Sequence, residues 1–257
     1  MMEKHYDSNY LHDTMSLLME VKRLSYEPFL KLVDGNVVDI GCGMGEDVFK
    51  MSVENESNTS YTGIDHDSTL IDEARKKIGF SQANLSYECK DLVQNPLPEI
   101  TYDGIRAERL FQHITKSNEL LLNCYNALKL GGVFLTIESD WAGINIYSSN
   151  HKMELAVREY LIEKKVVNGL ASRNLVGEVK NAGFKIENLQ ILPFTVSNLD
   201  LANSVVKLET IIKEAAAANY CTEEDSSSFY NELVDLNSKK LFRLQMNMIF
   251  IQAIKTS

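Results

Sequence analysis

The residues most able to do chemistry lie in a short run near the start of the chain, Asp39 to Gly45, which reads DIGCGMG. Glycine lacks a Cβ, so its backbone can take positive φ and a ligand can come close to the main chain. A dinucleotide-binding turn has its last glycine three positions after the second, and Glu46 stands there instead. The acid at Asp39 repels a pyrophosphate and attracts an ammonium or sulfonium group by charge and hydrogen bonding. The run therefore predicts a binding site for a cationic nucleoside.

Two more acids follow short segments further along the chain. Asp65 comes directly after the run 62–64, and Asp91 follows the run that begins at Leu85. Both runs read as strands, and the carboxyl ends of parallel strands meet at one edge of a sheet, where ligands bind. The residues alone also allow Asp65 to be a solvated turn residue or the cap of the next helix.

These segments, in this order, resemble the class I methyltransferases, which bind S-adenosylmethionine. The glycine run resembles their first motif, and Asp65 lies where they bind the two ribose hydroxyls. Asp91 with Leu92 resembles the pair that reads the adenine edge. The stretch Leu128–Glu138 resembles their helix end, glycine turn and fifth strand, with Leu130 in place of the usual proline. The resemblance implies S-adenosylmethionine as the cofactor and S-adenosylhomocysteine as the product.

The resemblance also implies which residues bind the cofactor. Arg23 precedes the glycine run in a predicted helix, where relatives often carry an arginine that pairs with the methionine carboxylate, and a guanidinium suits that carboxylate. An arginine on a solvated helix face is the alternative. The residues predicted to bind the cofactor are Arg23, Asp39, Gly41, Cys42, Gly43, Gly45, Asp65, His66, Asp91, Leu92 and Arg106.

Methyl transfer from a sulfonium is an in-line displacement, in which the protein aligns the groups, excludes water and removes a proton where the acceptor carries one. The segment Arg106–Ile114 follows the fourth predicted strand, where family members place residues that face the methyl group. Its histidine is a competent base because imidazole titrates near neutral pH, although histidines at this position also act only as caps or packing residues. The predicted catalytic residues are His113, as general base, and Asp140. Contacts to the acceptor are predicted for Tyr6, Tyr10, Arg109, Gln112, Glu138, Trp141 and Arg173.

Composition limits the class of protein. The chain has 257 residues, enough for a single domain over 1–257. Its formal net charge of −10 argues against a nucleic-acid partner, because phosphate binding relies on clustered lysine and arginine. The four cysteines have no metal-ligand spacing, so no metal site is predicted. The lack of a long apolar run and of a signal-like amino terminus predicts a cytoplasmic protein with no membrane contact. From the family resemblance, we further expect a small-molecule substrate, and the chain is expected to be a monomer or a homodimer.

The elements that position these residues alternate between strand and helix from Asn36 to Glu138, which is typical of a parallel sheet covered on both faces. Amphipathic spacing predicts helices between Tyr10 and Val33, with Pro28 as an interruption or a second helix start. Further helices are predicted over His151–Val167, Ser172–Ala182, Asn198–Ala218 and Glu223–Lys239, and strands over Lys185–Leu192 and Met246–Lys255.

The resemblance supplies the topology that periodicity cannot. It implies an α/β fold, a Rossmann-like seven-stranded mixed sheet in the order 3-2-1-4-5-7-6 with helices on both faces. The last two predicted strands would close this sheet as an antiparallel pair. Residues 1–33 are predicted to form an amino-terminal helical cap, and residues 198–240 a helical insertion that serves as a substrate lid.

Three functions compete for this pattern. The favoured one is an S-adenosylmethionine-dependent methyltransferase acting on an oxygen or nitrogen of a small molecule. Many methylases of nucleic acid and protein amino groups carry Asn/Asp-Pro-Pro-Tyr/Phe after the fourth strand, where this chain has residues 106–109 reading RAER. The alternative is a homologue that binds the cofactor but has a non-methylating or sensory role. A nucleotide-binding oxidoreductase is disfavoured by the glycine spacing and by Asp39.

Overall fold

The structure, a computed structural model, describes residues 19–77 and 84–256. These residues fall into two compact units. The larger unit comprises residues 22–138, 171–191 and 249–256, without residues 78–83, and the smaller one comprises residues 139–170 and 192–248 together with residues 19–21. Each unit has a hydrophobic core of its own.

Helices and strands alternate through the first half of the described chain, as the sequence predicts. The helices are α1 (Met19–Leu30), α2 (Glu46–Glu54), α3 (Ser68–Lys77) and α4 (Ser117–Ala127). The strands are β1 (Asn36–Ile40), β2 (Ser60–Asp65), β3 (Leu85–Cys89), β4 (Tyr102–Glu108) and β5 (Leu128–Ser139). Pro28 lies inside α1, which ends two residues later.

The second half adds more helix than strand. Its helices are α5 (His151–Tyr160), which continues as a π-helical turn at Leu161–Lys165, α6 (Ala171–Asn181), α7 (Leu199–Val206), α8 (Leu208–Ala217) and α9 (Glu223–Ser238). Its strands are β6 (Asn145–Ile146), β7 (Lys185–Val196) and β8 (Leu244–Ile254).

The strands join in one mixed sheet. Among the described residues the order is β3-β2-β1-β4-β5-β8-β6, and β7 pairs with β8. The pairs from β3 to β5 are parallel, whereas β6 and β8 are antiparallel. The predicted sixth and seventh strands correspond to β7 and β8, so the fold class and the order 3-2-1-4-5-7-6 are confirmed. The two-residue β6 was not predicted, because two residues carry no usable periodicity.

Strand register places the polar residues at one edge. Asp39 on β1 lies opposite Gly63 on β2 and opposite Arg106 on β4. The chain leaves β1 at Gly41 and β2 at Asp65 on this same edge, because the two strands are parallel and in step. The register therefore brings the glycine turn, the second acid and the fourth strand together.

One predicted helix is in fact two helices. The stretch Asn198–Ala218 was expected to be a single helix, but it forms α7 and α8 with a break at Lys207, whose φ is 59°. Lys207 has a left-handed backbone, and the side-chain oxygen of Asn203 accepts the free N–H of Glu209 at 2.9 Å. The apolar spacing continues through this break, so periodicity alone could not reveal it. The single domain, the amino-terminal cap and the lid stay predictions.

Candidate functional site

The glycine turn between β1 and α2 has the backbone that the sequence predicts. Gly41, Gly43 and Gly45 have φ values of 70°, 55° and 71°. A Cβ on Gly41 would lie 2.9 Å from Leu110 Cδ1, and one on Gly45 would overlap the ring of Tyr87. A Cβ on Gly43 would meet nothing within 4 Å among the described residues. Gly41 and Gly45 therefore make room for protein side chains, whereas Gly43 faces open space.

Asp65 lies against this turn. Its Oδ2 accepts a hydrogen bond from the backbone N–H of Gly43 at 2.8 Å, and its Oδ1 accepts one from Asp67 N at 3.0 Å. His66 Nδ1 lies 3.1 Å from the same Oδ1, although the His66 ring is largely exposed. A carboxylate offers about four lone-pair directions, so Asp65 can accept further hydroxyl groups beyond these bonds.

The chain just before the predicted adenine pair is bonded to β2, because Lys90 N donates to Asp65 O at 2.8 Å. Asp91 Oδ1 accepts a hydrogen bond from Val93 N at 2.9 Å, which closes a turn, and Leu92 packs partly buried against the larger core. The Cys42 Sγ lies 3.7 Å from the carbonyl oxygen of Gly43. Burial, with help from the charges of Asp39 and Asp65, raises the pKa of Cys42 well above its ordinary value, so its thiol stays protonated.

Arg106 is the largest fully buried side chain of the larger unit, with 1% exposure. Its Nη1 donates to Asp39 Oδ1 at 3.0 Å, and its Nε donates to Ser25 Oγ on α1 at 2.9 Å. Burial raises the pKa of Asp39 to about 6, although the Arg106 charge acts in the opposite direction. Asp39 therefore has a protein cation as its partner.

Three more charged groups complete a buried ion network around Arg106. Its Nη2 donates to Glu108 Oε2 at 2.6 Å and to Asp47 Oδ2 at 3.4 Å. Lys22 Nζ lies 2.7 Å from Asp47 Oδ2 and 3.0 Å from Glu108 Oε1. Arg106 and Lys22 together hold the pKa of Asp47 below its ordinary value against the effect of burial. We call Lys22, Asp39, Asp47, Arg106 and Glu108 the ion network.

The network contains residues that sequence reasoning missed. Arg23 was predicted to bind the cofactor, but it lies on the exposed face of α1, whereas Lys22 is buried. The signal was present in the sequence, because Lys22, Ser25, Tyr26 and Phe29 recur at helical spacing and share the buried face. Asp47 and Glu108 had no such signal, since an acid at a helix start or strand end is commonly solvated.

His113 ends a 3₁₀ turn, Phe111–His113, that follows β4. Gln112 is buried, and its Nε2 lies 3.0 Å from the Nε2 of His113. Just before this turn, Arg109 has a left-handed backbone with φ 50°, and its N–H donates to Ile137 O at 2.7 Å. Such a backbone is uncommon for a residue with a side chain and marks a conformation that the surrounding structure imposes.

Glu138 has no exposed surface. Its Oε1 accepts the backbone N–H of Phe111 at 2.7 Å, and its Oε2 accepts that of Gln112 at 3.4 Å. Burial raises the pKa of Glu138 to about 8, although these N–H groups and the Arg109 charge favour the ionised form. The carboxyl predicted to contact the acceptor is thus turned toward the backbone of the His113 turn.

Asp140 and Trp141 belong to the smaller unit. Asp140 is buried, its N–H donates to Asn247 O at 2.9 Å, and its carbonyl accepts from Gly143 N at 3.0 Å. Trp141 packs partly buried against the smaller core. Arg173 is exposed on α6. The predicted contacts Tyr6 and Tyr10 lie outside the described residues.

Within the described residues, no group of three or more His, Cys, Asp or Glu side chains could hold a metal ion. No helix in the described part of the chain is long and apolar enough to cross a membrane. The polar edge instead suits a nucleoside. Among the described residues nothing covers the Gly43 main chain, and beside it the Asp65 carboxylate keeps acceptor capacity for hydroxyl groups.

Comparison with known proteins agrees with this geometry. Residues 37–132 match a family described as a methyltransferase domain. The chain is 28% identical over 116 residues to a ubiquinone biosynthesis O-methyltransferase of Coxiella burnetii, which covers 45% of this chain and 48% of that protein. It is 24% identical over 189 residues to 24-methylenesterol C-methyltransferase 2 of Arabidopsis thaliana, which covers 72% of this chain and 48% of that protein. The chain thus spans about half the length of the curated relatives it matches.

A solved structure shows the same fold. It is phosphoethanolamine N-methyltransferase 2 of Haemonchus contortus in complex with S-adenosyl-L-methionine, with a TM-score of 0.54 and 15% identity over 92% of this chain and 53% of that one. The matched domain, the strand order and the glycine turn all indicate the same kind of fold and the same position for the cofactor site. Residues 37–132 thus carry a methyltransferase domain, and the relatives and the shared fold support the class I S-adenosylmethionine-dependent type.

Proposed function

We propose that the chain transfers a methyl group from S-adenosylmethionine to an oxygen or nitrogen of a small-molecule acceptor. This proposal rests on the contact between Gly43 N and Asp65 Oδ2 at 2.8 Å, at a turn where no described residue comes within 4 Å of the position of a Gly43 Cβ. This arrangement offers a ribose-accepting carboxylate next to accessible main chain. The relatives named above act on oxygen, carbon and nitrogen by their names, so the acceptor atom must be found by assay.

The protein's part in the reaction is alignment and proton removal. S-adenosylmethionine supplies the electrophilic methyl group when it is bound. Asp65 holds the ribose and Asp91 the adenine edge, and each uses a carboxylate whose geometry is fixed by backbone N–H groups. Fixed acceptors raise the effective concentration of the reacting groups, because less freedom is lost at the moment of reaction.

His113 is the proposed general base. It lies on the turn that follows β4, and Gln112 contacts its Nε2 at 3.0 Å. The Gln112 amide nitrogen can only donate, so His113 Nε2 is the accepting nitrogen and Nδ1 carries the ring proton; Nε2 takes a proton from the acceptor once the acceptor displaces the Gln112 donor. A hydroxyl or ammonium acceptor requires this step, and a positioned base contributes about 10²- to 10⁴-fold in rate.

A small acceptor fits the charge of the chain. The formal net charge of −10 disfavours a polyanion such as a nucleic acid, whose binding needs clustered cations. In the ion network both Arg106 and Lys22 are buried and paired with carboxylates, so neither cation is available to phosphate groups.

Measurements of cofactor binding test the role of the Asp65 carboxylate beside Gly43. We expect Asp65→Ala to weaken S-adenosylmethionine binding about 10-fold or more, since a hydrogen bond to a charged group is worth about 1.5–3 kcal/mol. Asp67→Asn is the matched control. It removes a neighbouring charge, but asparagine can keep the bonds from Thr69 N and Leu70 N that Asp67 Oδ1 accepts. Calorimetric titration of both variants with S-adenosylmethionine, S-adenosylhomocysteine and NADH measures this. Equal affinity in the two variants, or tight NADH binding alone, contradicts the site assignment.

Methyl transfer itself is tested with cofactor labelled on its methyl group and a cell extract separated into small-molecule and macromolecular fractions. We expect label in the small-molecule fraction with the wild-type chain. His113→Gln is expected to lose 10²-fold or more in rate and to keep its affinity for the cofactor. Label confined to macromolecules, or no label at all, would contradict the proposed function. Full turnover of His113→Gln between pH 6 and 9 would contradict the base assignment.

A further inference from the structure

The strongest unused feature of the larger unit is the buried carboxyl of Glu138. It lies on β5 and shares one strand face with Phe134 and Thr136, because side chains alternate along a strand. Its two oxygens are directed at the N–H groups of Phe111 and Gln112, at 2.7 and 3.4 Å. Phe111 also packs edge-on against Phe134, with ring centroids 6.3 Å apart. The strand therefore supports the turn through one apolar and one polar contact.

The turn requires such a polar contact. The first N–H groups of any short helix have no partner within the helix. Leu110, which precedes the Phe111–His113 turn, provides no side-chain cap for them. The turn is also entered from the left-handed backbone of Arg109. Glu138 supplies a buried acceptor to the N–H groups of both Phe111 and Gln112. A buried unsatisfied group costs about 1–3 kcal/mol, enough to move a three-residue turn.

The Phe111–His113 turn determines the orientation of the His113 side chain. The His113 N–H donates to Leu110 O at 2.9 Å, which fixes its backbone within the turn. Its ring contacts the amide of Gln112, and the backbone N–H of Gln112 is one of the two groups that Glu138 accepts. A displacement of the turn therefore moves both the His113 ring and the residue that sets its tautomer.

We propose that Glu138 is a positioning residue, which fixes the Phe111–His113 turn and thereby sets the orientation and tautomer of the His113 imidazole. This inference rests on the proposed function in one respect, the role of His113 as general base. It assigns Glu138 no contact with the acceptor. A misplacement of about 1 Å at a reacting group can cost about 10²-fold in rate, so the effect on turnover is measurable.

The test compares two neighbouring buried positions. Glu138→Met keeps the length of the side chain and removes both acceptors, and because it also removes the cost of burying a carboxyl it is expected to leave the chain folded. Thr136→Val is the matched control. Thr136 is buried on the same strand face, and its Oγ1 has no hydrogen-bond partner among the described residues, so the isosteric change removes no bond.

Three quantities are measured on the full chain: the ¹⁵N and ¹³C NMR signals of the His113 ring, the dissociation constant for S-adenosylmethionine, and kcat. Glu138→Met is expected to shift the ring signals and lower kcat about 10- to 100-fold, with the dissociation constant within about 3-fold of wild type. Glu138→Gln, which keeps one acceptor oxygen, should recover part of kcat. Thr136→Val should leave all three unchanged.

Unchanged His113 signals in Glu138→Met would overturn the proposal. Equal shifts in Glu138→Met and Thr136→Val would also overturn it, because the effect would then be general to the strand face. The NMR signals do not depend on turnover, so a chain that methylates nothing still tests the positioning role. If Glu138→Met does not fold, amide exchange in the wild type replaces it. Protection of Phe111 N–H and Gln112 N–H by less than about 10-fold over unprotected amides then overturns the proposal.

Discussion

At the level of single residues, the glycine turn is shaped by Tyr87, a side chain 42 positions away in sequence from Gly45. The ring of Tyr87 fills the space that Cβ atoms on Gly45 and Gly63 would need, and its hydroxyl donates to the carbonyl of Gly45 at 2.9 Å. The turn backbone therefore depends on a tyrosine that is itself buried on β3. The glycines explain why the turn can form, and Tyr87 explains why it keeps one shape.

Tyr87→Phe should weaken cofactor binding. The ring stays, but the Gly45 carbonyl loses its buried hydrogen bond, which is worth about 1–2 kcal/mol, so we expect S-adenosylmethionine affinity to fall about 5- to 30-fold. Tyr61→Phe is the control, since Tyr61 is equally buried and its hydroxyl bonds Asn55 and the Phe29 carbonyl, which are not part of the turn. Calorimetry measures both affinities, and thermal unfolding checks that the two variants lose similar stability. The same affinity in both variants would show that Tyr87 does not hold the turn.

Some residues of this site could be predicted from the sequence and others could not. Gly43 and Asp65 could be predicted because a glycine spacing and an acid at a strand end are local patterns. Tyr87 and Glu138 could not, since their roles come from contacts with residues 42 and 27 positions away. Arg23 was expected from the resemblance to bind the cofactor, and it lies on the exposed face of α1, whereas helix spacing places Lys22 on the buried face.

At the level of elements, the ion network joins two helices to two strands. Arg106 on β4 bonds Ser25 on α1, Asp39 on β1 and Asp47 on α2, and all of these bonds lie in the interior of the larger unit. Register makes this possible, because Asp39 and Arg106 are directly opposite in the parallel pair. Charges that are buried together hold their elements in one arrangement, since each charge is costly without its partners.

Arg106→Gln should destabilise the larger unit by about 3–5 kcal/mol, because Asp39 and Glu108 lose their main cation while they stay buried. Arg106→Lys keeps the charge but not the planar set of donors, so it is expected to lose less. Urea unfolding gives both free energies. Lys116→Gln is the control, since its pair with Glu119 is exposed and its loss should cost less than about 0.5 kcal/mol. A cost for Arg106→Gln close to that of the control would mean that the network does not hold these elements together.

The boundaries of the helices and strands show which structural features a local sequence pattern can predict. The alternation of strand and helix predicted from Asn36 to Glu138 is confirmed by β1 to β5, because β-branched runs between turn residues are a strong local signal. The end of α6 before Gly183, whose φ is 104°, and the cap of α9 by the Thr222 hydroxyl are likewise local features of residue chemistry. The break at Lys207 and the π-helical turn at Leu161–Lys165 depend on packing, so local patterns did not reveal them.

At the scale of the whole molecule, several of the charged groups lie in the interior and not on the surface. The chain carries ten more acids than bases, yet its most perturbed carboxyls are buried. Glu138 and Asp39 have pKa values raised to about 8 and about 6, with burial the largest cause in each case. Asp47 shifts the other way, because Arg106 and Lys22 outweigh its burial. The pH dependence of stability therefore combines opposing contributions that act in different pH ranges.

The signs follow from proton binding. A carboxyl whose folded pKa exceeds its unfolded value binds protons more tightly when folded, so the free energy of unfolding falls as pH rises between the two values. For Glu138 that range is from 4.5 to about 8, and for Asp39 it is from 3.8 to about 6. Asp47 contributes stability above its unfolded value of 3.8 and loses it as pH falls below. Of these three groups, Glu138 accounts for most of the decline above about pH 6.

The pH slope between 6 and 8 should therefore depend on one buried side chain. Glu138 faces the N–H groups of Phe111 and Gln112 and the Arg109 guanidinium, and ionising it in this interior costs up to about 1.4 kcal/mol per pH unit. Urea unfolding at pH 6, 7 and 8 should show the wild-type free energy of unfolding falling by about 1–3 kcal/mol, and Glu138→Gln, which cannot titrate, should show a much flatter slope. Thr136→Val, next to it on the same strand face, should keep the wild-type slope. If Glu138→Gln keeps that slope too, the proton is bound elsewhere, and the buried carboxyl of Glu138 is already ionised at pH 6.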